Sequence, residues 1–490
     1  MSGQRSTRKS RSFAAMLLGA VLGGSTWAAA PPQPNIIWIV ADDLGYGELA
    51  SYGGKDVPTP NIDSIGRNGV RFTNGYVTAP FCAASRAALL TGRYQTRFGF
   101  EYNPIGAANA DPAIGLPLAE AMLPEVLREA GYVTGLLGKW HLGSSAKFNP
   151  QRRGFDEFFG FLHEGHYYVP PPWNGHVTWL RRRALPGGGT GRWASPDGRV
   201  VWSTHLGSFE PDYDSDNPIL RNSQPVDEKS NLTDALAREA EDFITHHKAQ
   251  PFFLYLAFNA VHSPLQGADA YLKKFAHIPD IQRRIFVAML AHLDDSVGRV
   301  LARIRAEKLE ERTMIVFLSD NGGPTRELTS SNRPLRGEKG QLFEGGIRIP
   351  MMLQWKGRIP AGQVEARMVS SLELFPTAVA AARARPPGNL DGVDLVPHLS
   401  GRDDAPIRAA HYWRVGQQAA FRAGDWKIYR GRNEKTWQLY NLAQDIAEAK
   451  DLSTSEPARL VELQAAWGRL DVKMIDPLWN PTNRRQQNAK

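Results

Sequence analysis

The chain has 490 residues, 42% of them hydrophobic and 22% charged, so its composition is that of a globular protein with a core large enough for two or more folding units. The formal net charge is +8, which for this length favours a solvated, slightly basic surface over a nucleic-acid-binding protein, and we expect no nucleic-acid partner. The single cysteine excludes an internal disulfide bond.

Residues 1–30 have the layout of a secretory signal peptide. Four basic residues precede an apolar run from Phe13 to Leu22, and small residues follow as far as Ala30. Cleavage after Ala30 would remove the four basic residues and leave a net charge of about +4. Because neither this run nor any later segment is long enough to span a bilayer, we expect a periplasmic or secreted protein without a membrane anchor.

The next element is a short apolar run of strand type, Asn35 to Val40, which is followed by Asp42 and Asp43 and a glycine-rich turn. In open parallel sheets, ligands bind at the carboxyl ends of the strands. Two aspartates before such a turn are also common as turn and capping residues. The residues alone therefore leave both interpretations open.

The only cysteine, Cys82, begins an alanine- and leucine-rich run that predicts a short helix closed by Gly92. A helix N-terminus carries unsatisfied N–H groups and favours anions such as sulfate or phosphate. Arg86 lies four residues further on, so its guanidinium falls on the same face of the helix as Cys82. This arrangement indicates a nucleophile beside an anion site, although a lone cysteine is also common as a buried packing residue.

Three further apolar strands are each followed by polar residues: Lys139 and His141, then His262, then Asp320 and Asn321. Helical spacing over 118–130, 231–247 and 281–309 separates these strands along the chain. Strands that alternate with helices predict an α/β fold with a doubly wound, mostly parallel sheet. We therefore expect these side chains to lie together at one edge of the sheet.

Two other regions differ in character. Residues 161–224 are rich in proline, glycine, tryptophan and arginine with little periodicity, which indicates a long functional loop that we interpret as a specificity region. Its tryptophans either stack on a sugar or pack beneath the loop.

Beyond residue 384, short alternating stretches predict a small antiparallel sheet with a terminal helix. The expected organisation is a signal peptide (1–30), a catalytic domain (31–384) and a C-terminal subdomain (385–490).

The stretch C-x-A-S-R-x-x-L-L-T-G-R at 82–93 resembles the signature of type I, formylglycine-dependent sulfatases, C-x-P-S-R followed by T-G-R. Similar strings follow the family's order across nearly the whole mature chain: D-D-L-G-Y at 42–46, K-W-H-L-G at 139–143, G-F-D-E-F-F-G at 154–160 and the loop at 335–350. One difference is Ala84, which stands where the commonest signature has proline and leaves the route of maturation open. The resemblance implies an alkaline-phosphatase-like core.

The resemblance also implies a cofactor and a set of site residues. A separate maturation enzyme would oxidise Cys82 to formylglycine, whose hydrate is the family's nucleophile. A metal would be held by Cys82 together with four residues that offer oxygen: Asp42, Asp43, Asp320 and Asn321. Because those four offer hard oxygen donors and include no histidine or cysteine, the implied ion is calcium or magnesium rather than zinc, and the family favours calcium.

The remaining roles follow from charge and from the resemblance. Arg86, Lys139 and Lys339 would neutralise the sulfuryl group. His262 is the candidate acid for the leaving alcohol, and His141 would hold the hydrate and act as a base. We therefore predict an exported hydrolase of an aryl or carbohydrate sulfate monoester. The alternatives are a phosphodiesterase or phosphonate monoester hydrolase on the same core, and a sulfoglycan-binding protein whose cysteine is never converted.

Overall fold

The computed structural model describes residues 1–5, 7, 32–214 and 216–480. The chain divides into two units, Met1–Pro32 and Gln33–Lys490, and the architecture given below is that of the second. Most of the predicted signal peptide lies outside the described residues. Among the helices of the described part, none is both long and apolar enough to cross a membrane.

The strands of the second unit form one large sheet and three small ones. In chain order the strands are β1 (Asn35–Ala41), β2 (Val70–Phe72), β3 (Gly75–Tyr76), β4 (Val133–Lys139), β5 (Glu157–Phe161), β6 (His176–Arg181), β7 (Arg192–Ala194), β8 (Val200–Ser203), β9 (Leu220–Arg221), β10 (Gln224–Pro225), β11 (Phe252–Ala257), β12 (Leu265–Ala268), β13 (Thr313–Ser319), β14 (Met351–Trp355), β15 (Gln363–Glu365), β16 (Val369–Ser370), β17 (Ala410–Val415), β18 (Gln418–Ala423), β19 (Trp426–Arg430) and β20 (Gln438–Asn441).

The α-helices of the described part vary from one turn to seven turns in length. They are α1 (Pro60–Arg67), α2 (Cys82–Thr91), α3 (Leu123–Glu129), α4 (Leu232–His247), α5 (Asp269–Leu272), α6 (Ile281–Ala306), α7 (Thr325–Leu328), α8 (Glu344–Ile347), α9 (Leu374–Ala382), α10 (Val396–Leu399) and α11 (Pro457–Asp471).

The large sheet has ten strands in the order β10-β9-β5-β4-β11-β1-β13-β14-β2-β15. Its centre, β5-β4-β11-β1-β13, is parallel throughout. Side chains of β1 alternate between two cores, one formed with α1, α4 and α6 and the other with α2, α3 and α9. Because helices cover both faces, the central strands are continuously apolar. The predicted doubly wound, mostly parallel α/β fold is confirmed.

Four neighbouring parallel strands, β4, β11, β1 and β13, end at the same edge of this sheet. The residues that follow them carry the polar side chains that the sequence pattern singled out. The sheet therefore brings together groups that are up to 278 positions apart in the chain, such as Asp43 and Asn321.

Two predicted elements differ in the structure. The helix expected over 118–130 begins only at Leu123, because Pro124 occupies its first turn and the Glu125 carboxylate accepts the N–H of Met122 at 2.8 Å. The prediction that residues 161–224 form a long loop is wrong, because this region contains strands. It contributes β6, β7 and β8 to a four-stranded sheet with β12, and β9 and β10 to the edge of the large sheet.

The tryptophans of this region pack within the protein. Trp179 is buried beneath the guanidinium of Arg192, which lies 4.8 Å from the ring centroid. The rings of Trp193 and Trp202 lie against each other at 5.1 Å. Of the two interpretations of these aromatic residues, these contacts favour packing.

The four antiparallel strands β17 to β20 form the C-terminal sheet. This sheet packs against α2 of the core and against α11. Its Lys427 is fully buried and forms ion pairs with Glu344 at 2.9 Å and Glu448 at 2.8 Å. Glu344 lies in α8, directly after the loop that carries Lys339, and its N–H donates to the Glu448 carboxylate at 2.7 Å. This cluster fixes the small sheet to the loop that carries a predicted site residue.

We predict that Lys427→Met destabilises the protein by about 3–5 kcal/mol, because removing the cation of a buried ion pair leaves uncompensated carboxylates behind. The measurement is urea denaturation, with Lys435→Met as the control. Lys435 is exposed in the turn after β19, so its replacement should change the free energy of unfolding by no more than about 0.5 kcal/mol. Equal midpoints for the two variants would show that the cluster contributes little to stability.

Candidate active site

Cys82 is the first residue of α2, which ends at Gly92 in the left-handed conformation (φ 65°). The thiol is buried, with Sγ 3.5 Å from an oxygen of Asp42 and 4.0 Å from an oxygen of Asp43. Burial raises the pKa of the Cys82 thiol, so the unmodified side chain would be protonated and a poor nucleophile. The predicted helix start, with its cysteine at the first position, is confirmed.

Three carboxylates converge on this thiol. One ligand atom from each of Asp42, Asp43, Cys82 and Asp320 can be chosen so that all four lie within 4.8 Å of one another. Burial, reinforced by the charge of Asp42, raises the pKa of Asp320 to about 6. Carboxylates held this close in a buried site resist ionisation together, and a bound cation relieves that repulsion.

The amide of Asn321 completes this group. Its Nδ2 donates to Asp43 at 2.7 Å, whereas its Oδ1 is buried and accepts no hydrogen bond from the described residues. A buried acceptor without a partner is costly unless something binds it. Three carboxylates and this amide oxygen suit a hard divalent cation such as calcium or magnesium. All the residues predicted to hold the metal therefore lie together.

Each carboxylate faces a cation. Lys139 lies 2.7 Å from Asp42, Lys339 lies 2.8 Å from Asp43, and Arg86 lies 2.8 Å from Asp320. Although burial acts in the opposite direction, Lys339 and His262 lower the pKa of Asp43 to about 2.

The three cations come from different parts of the fold: α2, the end of β4 and the loop before α8. Together with the carboxylates they form an ion cluster with balanced charge, which a divalent cation would make positive and able to bind an anion.

Two histidines lie beside the ion cluster, each held by a backbone carbonyl. His141 has a positive φ of 60° and donates from Nε2 to Pro104 O at 2.9 Å, which leaves a buried Nδ1 that has no partner among the described residues. Burial and the charge of Lys139 lower its pKa well below the usual range. The ring is therefore neutral, with Nδ1 as a proton acceptor.

His262 donates from Nδ1 to the carbonyl of Ser263 at 2.7 Å, so its Nε2 faces Asp43 at 3.6 Å. Burial lowers its pKa to about 3. A ring nitrogen of His262 also lies within 4.8 Å of both the Asp42 carboxylate and the Cys82 thiol. The predicted acid therefore lies beside the predicted nucleophile.

Sequence reasoning missed the residues that hold His262 in place. Tyr168 donates to the carbonyl of His262 at 3.0 Å, and the Tyr213 ring lies edge-on to the imidazole at 6.2 Å. The Tyr213 hydroxyl is 3.0 Å from the Ser263 hydroxyl, which donates to Glu327 at 3.2 Å. Both tyrosines belong to the region 161–224, where no periodicity or motif distinguished them.

Two family models match this chain: Sulfatase over residues 34–384, and the C-terminal model of N-sulphoglucosamine sulphohydrolase over residues 338–467. The chain belongs to the sulfatase family. It is 34% identical to the N-acetylgalactosamine-6-sulfatase of Canis lupus familiaris over 452 residues, which is 89% of this chain and 79% of that protein. It is 31% identical to arylsulfatase G of Rattus norvegicus, over 87% of this chain and 84% of that protein.

Solved structures agree. The chain is similar to Ps i-CgsB in complex with k-i-k-neocarrahexaose, with 34% identity, a TM-score of 0.80 and coverage of 93% of this chain and 97% of that one. It is also similar to the PsFucS1 sulfatase from Pseudoalteromonas sp., with 26% identity, a TM-score of 0.70 and 91% of each chain covered. The protein is a sulfuric ester hydrolase with an alkaline-phosphatase-like α/β fold, as the sequence predicted.

Proposed function

We propose that this sulfatase is exported, carries a formylglycine derived from Cys82, binds calcium at the carboxylate cluster and cleaves a sulfate monoester of a carbohydrate. The observation that carries the proposal is the position of Cys82. Its sulfur begins α2, lies 3.5 Å from Asp42 and shares one small buried volume with three carboxylates, each of which faces a cation. A thiol with a raised pKa needs conversion to act as a nucleophile there.

The metal ligands in this proposal are the residues that the sequence indicated: Asp42, Asp43, Asp320, Asn321 and the converted side chain of Cys82. When bound, the ion supplies positive charge that polarises a sulfate oxygen and favours the ionised nucleophile. Conversion of Cys82 to formylglycine would place a hydrated aldehyde here, which would supply the attacking oxygen. The unpaired Oδ1 of Asn321 and the raised pKa of Asp320 both support a cation at this position.

The sulfate ester is bound and neutralised by three side chains. Lys139 and Lys339 each contact a carboxylate within 2.8 Å, and Arg86 holds Asp320 while donating to the carbonyl of Lys139 at 3.1 Å. Because all three are buried or nearly so, their charges act in a medium of low dielectric constant. Such preorganised charge stabilises the transition state without reorganisation of solvent.

The two histidines move protons in this scheme. His262 would donate from Nε2 to the oxygen of the leaving alcohol as an imidazolium, since the proton on Nδ1 is held by the carbonyl of Ser263. The negative charge of a bound sulfate ester would favour that protonated form and oppose the burial that lowers the pKa of His262. His141 would accept a proton at Nδ1, the nitrogen that has no partner among the described residues. Their tautomers are set by backbone carbonyls, so each ring presents one nitrogen to the site.

The carbohydrate substrate, the export and the maturation step are also part of the proposal. One relative is an N-acetylgalactosamine-6-sulfatase and one solved neighbour was captured with neocarrahexaose, and both names support a sulfated sugar. The layout of residues 1–30 supports export to the periplasm or the medium. The proposed catalytic domain covers residues 31–384, and the proposed C-terminal subdomain covers residues 385–490. Maturation would require an enzyme that accepts Ala84 at the position where the commonest signature has proline.

The first prediction concerns the reaction. Purified mature protein should hydrolyse an aryl sulfate and sulfated oligosaccharides, and it should act at least a hundredfold more slowly on an aryl phosphodiester, as expected for a member of the sulfatase family. Parallel measurements of kcat/KM on the three substrate classes test this. A preference for the phosphodiester would assign the site to phosphoryl chemistry, and binding of sulfated glycans without turnover of any ester would leave a binding protein.

The second prediction concerns the metal. A chelator should abolish activity and lower the melting temperature by several degrees, since a ligand at a hundredfold its Kd contributes about 2.7 kcal/mol to the native state. Calcium should restore both properties more fully than magnesium. Asp43→Asn removes one ligand charge, so its melting temperature should respond much less to the chelator. An identical midpoint with and without metal, with removal confirmed by elemental analysis, would contradict the proposed site.

The third prediction concerns His262. His262→Ala should lower kcat by roughly 10²–10⁴-fold on an alkyl or sugar sulfate, whose alkoxide needs a proton as it leaves, and far less on an activated aryl sulfate. His277→Ala serves as the control, because that histidine is exposed and outside the site. Equal losses on both kinds of ester would remove His262 from the role of acid.

A further inference from the structure

A groove runs from the active site along the turns of the C-terminal sheet. It consists of two adjoining cavities, one of about 480 Å³ and one of about 440 Å³, that share Arg432 and Asn433. The first cavity is also lined by Lys339, and the second by Phe81 and Tyr102. We refer to these two cavities together as the hairpin groove, because Arg432 and Asn433 lie in the turn between β19 and β20.

Each cavity of the hairpin groove is lined by a residue in or next to the proposed active site. Lys339, whose Nζ lies 2.8 Å from Asp43, lines the first, and Phe81, which directly precedes Cys82, lines the second. Lys339 is 16% exposed, whereas the side chains of Arg86 and Lys139 are fully buried. Lys339 is therefore the most exposed of these three cations, and a substrate whose sulfate binds there would extend past Lys339 into the groove.

Hydrogen bonds connect the segments that line the groove to the segments next to Cys82. Gln418 of β18 donates to the carbonyl of Gly340 at 3.0 Å, and the N–H of Gly340 donates to the carbonyl of Pro80 at 3.0 Å. On the other side, the N–H of Ala83 donates to Asn103 at 2.9 Å. These bonds fix β18 relative to Cys82, and β18 pairs with β19, the strand that leads into the turn of Arg432. A specific subsite requires such a fixed position.

The lining of the hairpin groove has the chemistry of a binding site for an anionic sugar. Arg432 is exposed, and its guanidinium forms no ion pair or hydrogen bond with any residue of the described chain. Glu434, an acidic residue of the same lining, has its carboxylate engaged by the N–H of Gly431 at 3.1 Å. Phe81 and Tyr102 add half-buried aromatic surface, and Asn433 adds an amide.

We propose that the hairpin groove binds a second sugar unit of the substrate that carries its own anionic group, and that Arg432 pairs with that group. The proposal rests on the sulfatase function proposed above. A guanidinium binds sulfate or carboxylate through two parallel hydrogen bonds, which gives direction as well as charge. The substrate class is accordingly an oligosaccharide with at least two anionic groups, one cleaved at the active site and one retained in the groove.

The test measures binding directly, so that it does not depend on turnover. Full-length, calcium-loaded Cys82→Ser protein is titrated by calorimetry with two hexasaccharides, one from a sulfated galactan without carboxylates and one from a sulfated galactosaminoglycan that has them. At least one should bind, and Arg432→Gln in the same background should weaken that binding at least tenfold. The affinity should also fall with added salt. The hexasaccharide that responds identifies sulfate or carboxylate as the retained anion.

Lys435→Gln is the matched control, because Lys435 is an exposed cation of the same turn that lines neither cavity. It should leave the affinity within about twofold. Absence of binding by both hexasaccharides, or equal affinities for the Arg432 and Lys435 variants, would overturn the proposal. Failure of the wild-type protein to hydrolyse any sulfate ester is a separate result that would count against the proposed function and not against the groove.

Discussion

The arrangement on which the site depends is the convergence of three buried carboxylates at the edge of one parallel sheet. Asp42, Asp43 and Asp320 follow two neighbouring strands, β1 and β13, so the register of these strands brings like charges together. Burial makes such a group unstable without compensating charge. The fold supplies that charge from elsewhere: Arg86 from a helix and Lys339 from a distant loop. The groups that hold the carboxylates are the same groups that suit a sulfate anion.

The parts outside the sheet place their residues against this centre. The region 161–224 folds over His262 and fixes it through Tyr168 and Tyr213. The C-terminal sheet is joined to the loop of Lys339 by the buried ion pairs of Lys427. In the proposed scheme these additions to the core would select the substrate, whereas the strand ends would supply the chemistry.

The parallel strands, the polar residues that follow them and the helix at Cys82 were predictable from sequence, because short stretches of neighbouring residues determine them. Continuous apolar runs that end in polar residues predict buried parallel strands, and the residues after β1, β4, β11 and β13 meet as expected. The helix that starts at Cys82 was equally clear. The sheet of β6, β7, β8 and β12 was not, because its strands are only three to six residues long and three of them carry a tryptophan that a loop could equally contain. Contacts such as Tyr213 with Ser263 depend on tertiary packing, which no short pattern encodes.

The account rests on the conversion of Cys82, since a buried, protonated thiol would not perform the proposed chemistry. The most direct measurement is peptide mass spectrometry on fully active enzyme, applied to the peptide that spans residues 81–93. The account predicts a mass lower than the gene implies, an aldehyde at position 82 that reacts with hydrazide, and a specific activity that rises in proportion to it. An unmodified Cys82 thiol in a fully active sample would contradict the account.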